Sequence, residues 1–530
     1  MDGGLRRANH PGVVRDVTPR KQRGREVRAT RRAQRCGRRR RMKPGQHTPE
    51  LESFYHLGPG PLGTHACQGT ACFVARHLDA ARWRQATSGD TRVYCLGQCY
   101  RAPSVTGEDA RPEVHIRAPQ AITLGRVASG GARALPEATR QGAYMALEQA
   151  LSSPPEALIV QVERSGLRGR GGAGFPTGRK LRAVAAAPGE EKTVVANADE
   201  GDAGAYIDRF LMEDDPHAVL EGLLLAAYAV GAHRVVIYVR KEYPLAACVL
   251  HVALHEAHRE GVLGPHILGS AFSCEVSIEV GRGSYLCGEE TALLNALEGR
   301  RPFVRARPPY PAQAGLFGQP TLVQNVETLA NLPWIARHGG EAYAALGIPG
   351  SRGTKVLSLN SLFHHPGLYE VELGTPVRTV VEELGGGLRT GPLKGVLIGG
   401  PLAGILPPHL LDTPLGFEEL QAVGASVGHG GVVAFDANTS IAALVHHIFS
   451  FGAYESCGRC TPCRLGARHV ERLFARVLDA GSAPRAGAAD WEEVAEALRL
   501  TSLCGHGTGL GEFARSVLRH YREEVAACFA

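Results

Sequence analysis

The chain has 530 residues, enough for three or four domains with an ample apolar core. Its formal charge is +7, yet residues 1–41 alone carry +12 and the remainder sums to −5, so the basic character belongs to the N-terminal segment and no nucleic-acid function follows for the body. The longest apolar stretch, residues 218–232, is interrupted by Glu221 and Gly222, so no spanning helix is expected, and no secretory signal is expected either.

Residues 1–45 run through Arg31, Arg32, Arg35 and Arg38 to Arg41 without apolar periodicity, which predicts a self-repelling disordered arm. A transit peptide has this composition, and so does a start assigned too early with Met42 as the true one. Thirteen cysteines are too few for a disulfide scaffold, and eight of them fall into two sets of four. Paired cysteines without a secretion signal point to metal in a reducing compartment. The other five, Cys36, Cys248, Cys274, Cys287 and Cys528, are scattered and read as small hydrophobes or surface positions.

The first set gives C-x4-C at Cys67 and Cys72, then twenty-two residues, then C-x3-C at Cys95 and Cys99. Two pairs of thiolates, each from one loop, suit a [2Fe-2S] cluster in which each loop serves one iron. Cys95-Leu-Gly-Gln-Cys99 with Ala102-Pro103 after it resembles the thioredoxin-like ferredoxin module of the small NADH dehydrogenase subunit. That resemblance implies a thioredoxin-like domain over 46–122, although the segment between the pairs is short for one. A degenerate domain kept for its contacts is the alternative.

Residues 166–174 hold five glycines in nine positions, a density no packed helix or strand accepts. A loop that brings backbone NH groups against a phosphate or a flavin ring requires it. Gly169-x-Gly171-x-x-Gly174 matches the dinucleotide fingerprint formally, but Pro154 to Arg164 before it read as helical, against the strand, loop, helix order of a Rossmann unit. Val194 to Asp202 reads as a buried strand delivering polar groups at its C-terminal end, and Val235 to Val239 as a second strand. Gly281 to Thr291 is a glycine loop entering a helix, whose N-terminal amides favour an anion or an electron-rich ring. Residues 353–432 carry short strand-like pieces, Lys355 to Leu359 and Gly395 to Ile398, in a Val-, Leu-, Gly- and Pro-rich background with no visible chemistry.

The last set gives C-x2-C-x2-C at Cys457, Cys460 and Cys463, with Cys504 forty residues on. Three thiolates in one loop cap one face of a cubane and a distant fourth closes it, which signals a [4Fe-4S] cluster. Zinc is the alternative, disfavoured by the third closely spaced cysteine. Helices are predicted over Asp436 to Phe451 and Trp491 to Cys528, with Val470, Leu473, Phe474 and Val477 at helical spacing between them.

The glycine loop with Arg168 to Lys180, Asn197-Ala-Asp-Glu200, Cys287-Gly-Glu-Glu-Thr291, Val323-Gln-Asn-Val-Glu-Thr328 and the cluster motif resemble the NADH-binding flavoprotein subunit of respiratory complex I. The same family includes diaphorase subunits of NAD-linked soluble formate dehydrogenases and hydrogenases. The likeness spans Ala134 to Cys504. It implies a multidomain α/β protein: a Rossmann-like FMN and NADH domain over 134–342, a β-grasp-like domain over 353–432, and a helical [4Fe-4S] domain over 435–530. It implies FMN contacts from Gly169, Arg170, Gly171, Lys180, Asn197, Asp199, Gly288, Glu289 and Asn325, with Val323 and Gln324 beside them on the same strand. Phe175, Glu200, Asp202, Tyr285, Glu290 and Arg307 are implied around the nicotinamide nucleotide.

Three positions depart from the family pattern. Asp202 stands where Glu is common, at a position implied to screen against a 2′-phosphate; a shorter carboxylate still repels phosphate, so preference for NADH over NADPH is expected. Ala183 replaces an aromatic and Gln324 an Asn. No conventional acid, base or nucleophile is expected, because the cofactor carries the chemistry. The fused N-terminal module favours a formate dehydrogenase β-type subunit, with a hydrogenase diaphorase second and complex I third. The expected partners are a small [2Fe-2S] subunit and a catalytic formate dehydrogenase or hydrogenase subunit, in the bacterial cytosol and at most peripheral to a membrane. The contrasting hypothesis is a non-catalytic scaffold that only accepts electrons.

Overall fold

Two sheets organise the described residues, which in this computed structural model are 55–57, 62–88, 91–107, 110–189, 191–481 and 486–529. The basic segment 1–45 lies outside them. In the N-terminal segment the helices are α1 (Thr70–Val74) and α2 (Ala80–Thr87), and the strand is β1 (Glu113–Ile116). After α3 (Pro155–Ser165) and α4 (Thr177–Ala186) come β2 (Thr193–Ala198), α5 (Ile207–Asp214), α6 (Pro216–Val230), β3 (Arg234–Val239) and β4 (Glu275–Val280). Then α7 (Glu290–Leu297), β5 (Thr321–Asn325) and α8 (Val326–His338) follow.

The first sheet is all parallel, in the order β4-β3-β2-β5. Its strands are apolar on both faces, as a sheet covered by helices on both sides demands. Val194, Ala196, Val235, Ile237 and Leu322 enter the main core with α6 and α8. Val195, Val236 and Val323 enter a second cluster with Leu293 and Leu297 of α7. The helix α6 packs against α8 so closely that a Cβ on Gly222 would lie 2.1 Å from the Leu329 carbonyl oxygen.

The second sheet is mixed. Its later strands are β6 (Thr354–Leu359), β7 (Gly367–Glu372), β8 (Leu393–Ile398), β9 (Ile405–Leu406) and β10 (Gly431–Asp436), in the order β1-β7-β6-β10-β8-β9. The expected strands at Lys355 to Leu359 and Gly395 to Ile398 are β6 and β8. β1 is the surprise: it comes from the four-cysteine segment and pairs parallel with β7, Glu113 opposite Gly367. Among the described residues, the segment 46–122 expected as a thioredoxin-like domain therefore has no sheet of its own. Twenty-two residues between its cysteine pairs leave room for α2 and turns only. Glu370 of β7 fixes it further, accepting from Ile122 N at 2.8 Å and Leu124 N at 2.9 Å.

The C-terminal helices are α9 (Ile441–Tyr454), α10 (Ala467–Ala480), α11 (Ala486–Thr501) and α12 (Gly505–His520). The predicted helix from Asp436 starts late, since Asp436 still belongs to β10 and Ser440 caps α9 by accepting from Ala443 N. The predicted helix from Trp491 to Cys528 is broken at 502–504, and the break places Cys504 as the cap of α12. Among the described residues no helix is long and apolar enough to cross a membrane.

Gly222→Ala is expected to lower the unfolding free energy by about 3 kcal/mol, because backbone stands where the methyl must go. A urea midpoint unchanged from the parent chain would refute it.

Candidate functional site

Parallel strands present all their carboxyl ends at one edge, and the order β4-β3-β2-β5 makes β2 and β5 the point where connections turn to opposite sides. The crevice there receives Asn197 and Asp199 from β2 and Gln324 and Asn325 from β5. The glycine loop closes over it as a hairpin between α3 and α4, with Gly169 N donating to Phe175 O at 2.9 Å and Thr177 N to Leu167 O at 2.8 Å. A helix precedes it, as the sequence indicates, so it is no Rossmann fingerprint. Arg168 clamps the loop by donating from Nε to Gly174 O at 2.6 Å, with its guanidinium 4.0 Å from the Phe417 ring centroid. Gly171 lies against Asn325, where a Cβ would come within 2.8 Å of the Asn325 Cβ.

Asn197 Nδ2 donates to Gly288 O at 2.7 Å and so ties in the loop before α7. Glu289 caps α7, accepting from Thr291 N and Ala292 N at 2.9 Å each. Arg307 pairs with Glu289 and, at 3.3 Å, with Glu290, whose other oxygen meets Lys180 Nζ at 2.9 Å. Burial opposes the charge of Glu290, but these two cations hold its carboxyl below the usual range. Tyr285 OH donates to Asp202 Oδ1 at 3.1 Å.

Buried atoms left without partners mark where a polar ligand fits. Asp199 Oδ2 and Gln324 Nε2 are such atoms, an acceptor and a donor at the same crevice. Each orphan costs about 1–3 kcal/mol until something meets it, and a ligand carrying both a hydroxyl donor and a carbonyl acceptor would match this pair. Burial pushes the Asp199 carboxyl well up.

Three expected contacts are engaged within the protein itself. Glu200 is 0% exposed and its carboxylate accepts from Ile207 N, Asp208 N, Arg209 N and Tyr243 OH, so it anchors the start of α5. Arg170 is buried, its guanidinium donating to Tyr343 OH at 2.9 Å and Arg352 O at 2.7 Å; its backbone N donates to Thr328 Oγ1. Val323 is core. Phe175 is 51% exposed at the loop tip, free to receive a planar group.

The second thiol set lies at the rim of this crevice. Cys457 packs with Leu286, Ala292 and Val304 of the loops flanking α7, and Cys504 joins the same cluster. Cys457 is close enough to Cys463 and Cys460, and Cys504 to Cys463, for their charges to interact. Burial pushes Cys504 up to about 12, opposed by the His506 and Gly507 amides at the start of α12. Metal coordination removes the proton that burial favours, so four such thiols fit a cluster. Glu455 accepts from Tyr285 N at 3.0 Å and so joins the cysteine motif directly to the crevice loop.

The first set is more buried still. Cys67, Cys72, Cys95 and Cys99 are at most 2% exposed, and Cys95 Sγ lies 3.4 Å from Cys99 Sγ. A hydrogen bond from Cys72 brings Cys67 down to about 6, while Cys72 and Cys99 are pushed well up by their thiol neighbours. The loop packs on the crevice segment: Arg209 Nη1 donates to Leu96 O at 3.2 Å and Gly97 O at 3.1 Å.

A family model described as the Nuo51 FMN-binding domain matches residues 162–334, and one described as the NADH-ubiquinone oxidoreductase-F iron-sulfur binding region matches residues 443–528. Crevice and thiol site together thus define a flavin- and iron-sulfur-binding oxidoreductase. Similar proteins include an NADH-quinone oxidoreductase subunit of Rhizobium meliloti, 41% identical over 388 residues that cover 73% of this chain and 92% of the relative. NADP-reducing hydrogenase subunit HndC of Solidesulfovibrio fructosivorans is 38% identical, covering 72% and 78%. A chain of the NAD+-reducing [NiFe]-hydrogenase in the H2-reduced state superimposes with a TM-score of 0.76 at 30% identity, covering 91% of this chain and 87% of that one.

The chain belongs to the family of NADH dehydrogenase flavoprotein subunits. It is an FMN-dependent, NAD-linked oxidoreductase chain with a [4Fe-4S] cluster.

Sequence reading missed Asp208, Tyr243, His429 and Glu455. Only Glu455, two residues before Cys457, had a signal to offer. Cys457→Ala is expected to remove roughly four iron atoms per chain while the flavin absorbance stays. Iron analysis beside a visible spectrum checks this, and full iron in the variant would refute the ligand assignment.

Proposed function

We propose that the chain is the diaphorase subunit of a soluble NAD-linked complex in the bacterial cytosol, with formate or hydrogen oxidised on a partner chain. The observation that carries this reading is the likeness to the NAD+-reducing hydrogenase over 91% of the chain, a share that has to include most of the region before the FMN-binding domain. The sequence favours a formate dehydrogenase partner; the hydrogenase likeness favours the second reading. A small [2Fe-2S] subunit completes the set of partners. Native purification decides between them: molybdenum or tungsten with formate-dependent NAD+ reduction supports the first, nickel with hydrogen-dependent reduction the second.

Bound FMN supplies the conversion between a hydride pair and single electrons. The residues of the chain orient and shield it. Asn197, Asp199 and Asn325 meet the flavin from the strand ends, and Gly169 and Gly171 let backbone amides approach it. Gly288 and Glu289 close the far side, where Cys457 and Cys504 begin. Lys180, paired with Glu290 at 2.9 Å, meets the flavin from the glycine-loop side, while Phe175 stacks on the nicotinamide nucleotide and Glu290 and Arg307 hold its polar groups. Tyr285 fixes the Asp202 carboxylate, which faces the adenosine ribose and repels a 2′-phosphate.

The four N-terminal thiols hold a [2Fe-2S] cluster as a further electron carrier. Their mutual proximity and full burial support this, because four uncoordinated thiols gain little from such an arrangement. Cys99→Ala is expected to lose about two iron atoms per chain and leave the other four in place.

The isolated, reconstituted chain is expected to reduce ferricyanide with NADH; bound FMN without that activity would favour the scaffold hypothesis. In the same assay Asp202→Ser is expected to raise the NADPH to NADH ratio of kcat/KM by about tenfold. An unchanged ratio would remove Asp202 from the nucleotide site.

A further inference from the structure

His429 stands outside the motifs read from the sequence, in the turn before β10, between Gly428 and Gly430 at φ 51° and 94°. It comes from the second sheet, where no chemistry is visible in the sequence. Its Nε2 lies 3.0 Å from Asp208 Oδ2 and 3.3 Å from Glu200 Oε1, ion-pair distances without hydrogen-bond alignment to either, and all three side chains are buried.

Both carboxylates lead to the flavin crevice. Asp208 Oδ2 accepts from Asn325 Nδ2 at 2.6 Å, and Asp208 Oδ1 accepts from Glu327 N at 3.1 Å. Glu200 directly follows Asp199. The backbone of His429 is held in turn, its carbonyl accepting from Lys355 Nζ at 2.9 Å while Lys355 pairs with Glu327. Burial opposes a charge on His429, but Asp208 and Glu200 outweigh it and raise its pKa well above the ordinary range.

A divalent cation would also suit these three ligand atoms, which lie within 4.8 Å of one another. The lone pairs argue against it. Glu200 Oε1 already accepts from Ile207 N at 2.6 Å and Asp208 N at 3.0 Å, and Asp208 Oδ2 is engaged by Asn325.

We propose that protonated His429 is a positioning residue for the flavin: it fixes Asp208, and through it the Asn325 amide, and fixes Glu200, and through it the Asp199 strand end. The inference rests on FMN occupying this crevice. A buried carboxylate that loses its cation is left uncompensated, so it protonates or shifts, and the amide it held turns with it.

The test uses the full chain with its clusters reconstituted, and compares His429→Gln, Asp208→Asn and the double variant. His429→Gln is expected to raise the FMN dissociation constant by about tenfold or more, read by flavin fluorescence. Loss of a fixed positive charge near the flavin also shifts its midpoint potential to more negative values, which a merely structural role would not do. Iron content stays at the parent value, and the double variant is no worse than the worse single one. Should His429→Gln not fold, Asp208→Asn decides, since it keeps the imidazole and breaks the link to Asn325. Unchanged FMN affinity and potential in a folded variant overturn the inference, as does a stoichiometric non-iron metal in the parent chain. A parent chain that binds no FMN overturns the flavin reading along with it, whereas a yellow parent with an indifferent variant overturns the inference alone.

Discussion

A carboxylate taken out of water must find a cation or a set of donors, and this protein buries several around one crevice. Glu200, Asp208 and Glu327 are all at most 1% exposed. Their counter-charges, Lys355 and His429, come from the second sheet, so the two sheets cannot separate without stranding charge on both sides. Such a network is a poor source of net stability, since apolar residues of the same volume pack as well. Its value lies in fixing geometry. Asn325, proposed above to meet the flavin, is held by Asp208, which has itself lost its freedom, so this end of the crevice is ordered before anything binds.

The two thiol sites depend on the same constraint with the sign reversed. Burial keeps Cys457, Cys463 and Cys504 protonated, and only a metal makes their thiolates stable. At Cys504 the start of α12 helps by aiming the His506 and Gly507 amides at the sulfur. The break at 502–504 that interrupts an otherwise continuous helix is therefore a condition for the fourth ligand. Cys457 and Cys504 touch the loops around α7, and Cys95 lies 3.9 Å from the Ala205 carbonyl oxygen. Both sets thus lean on the walls of one crevice from different sides.

Much of this was legible in the sequence because local chemistry announces itself. Five glycines in a nine-residue window, thiol spacings and apolar runs ending in Asn-Ala-Asp gave the loops, the cluster and the first sheet. Lone residues acting across the fold gave nothing. His429 sits in a plain Gly-His-Gly turn, and only the pairing of β10 beside β6 brings it under α5. Glu200 shows the same limit: the resemblance implied it beside the nucleotide, and nothing in the sequence showed that its carboxylate also anchors the start of α5. The destination of β1 was equally invisible, since an isolated four-residue strand carries no mark of which sheet will accept it.

Burial also separates the cofactor that stays from the one that leaves. At the strand ends Asp199 Oδ2 and Gln324 Nε2 are shut away from water and have no hydrogen-bond partner in the protein, although Asn197 and Asn325 beside them are half-buried. A ligand that completes such groups is held strongly, because its departure restores the desolvation penalty. On the expected nucleotide side the ion pair is partly hydrated: Arg307 is 35% and Glu290 21% exposed, and the two lie 3.3 Å apart. Contacts of that kind are screened by water and replace one another at little cost. With the flavin and the nucleotide placed as proposed above, the two unpaired buried atoms lie with the cofactor that stays and the water-exposed ion pair with the one that exchanges.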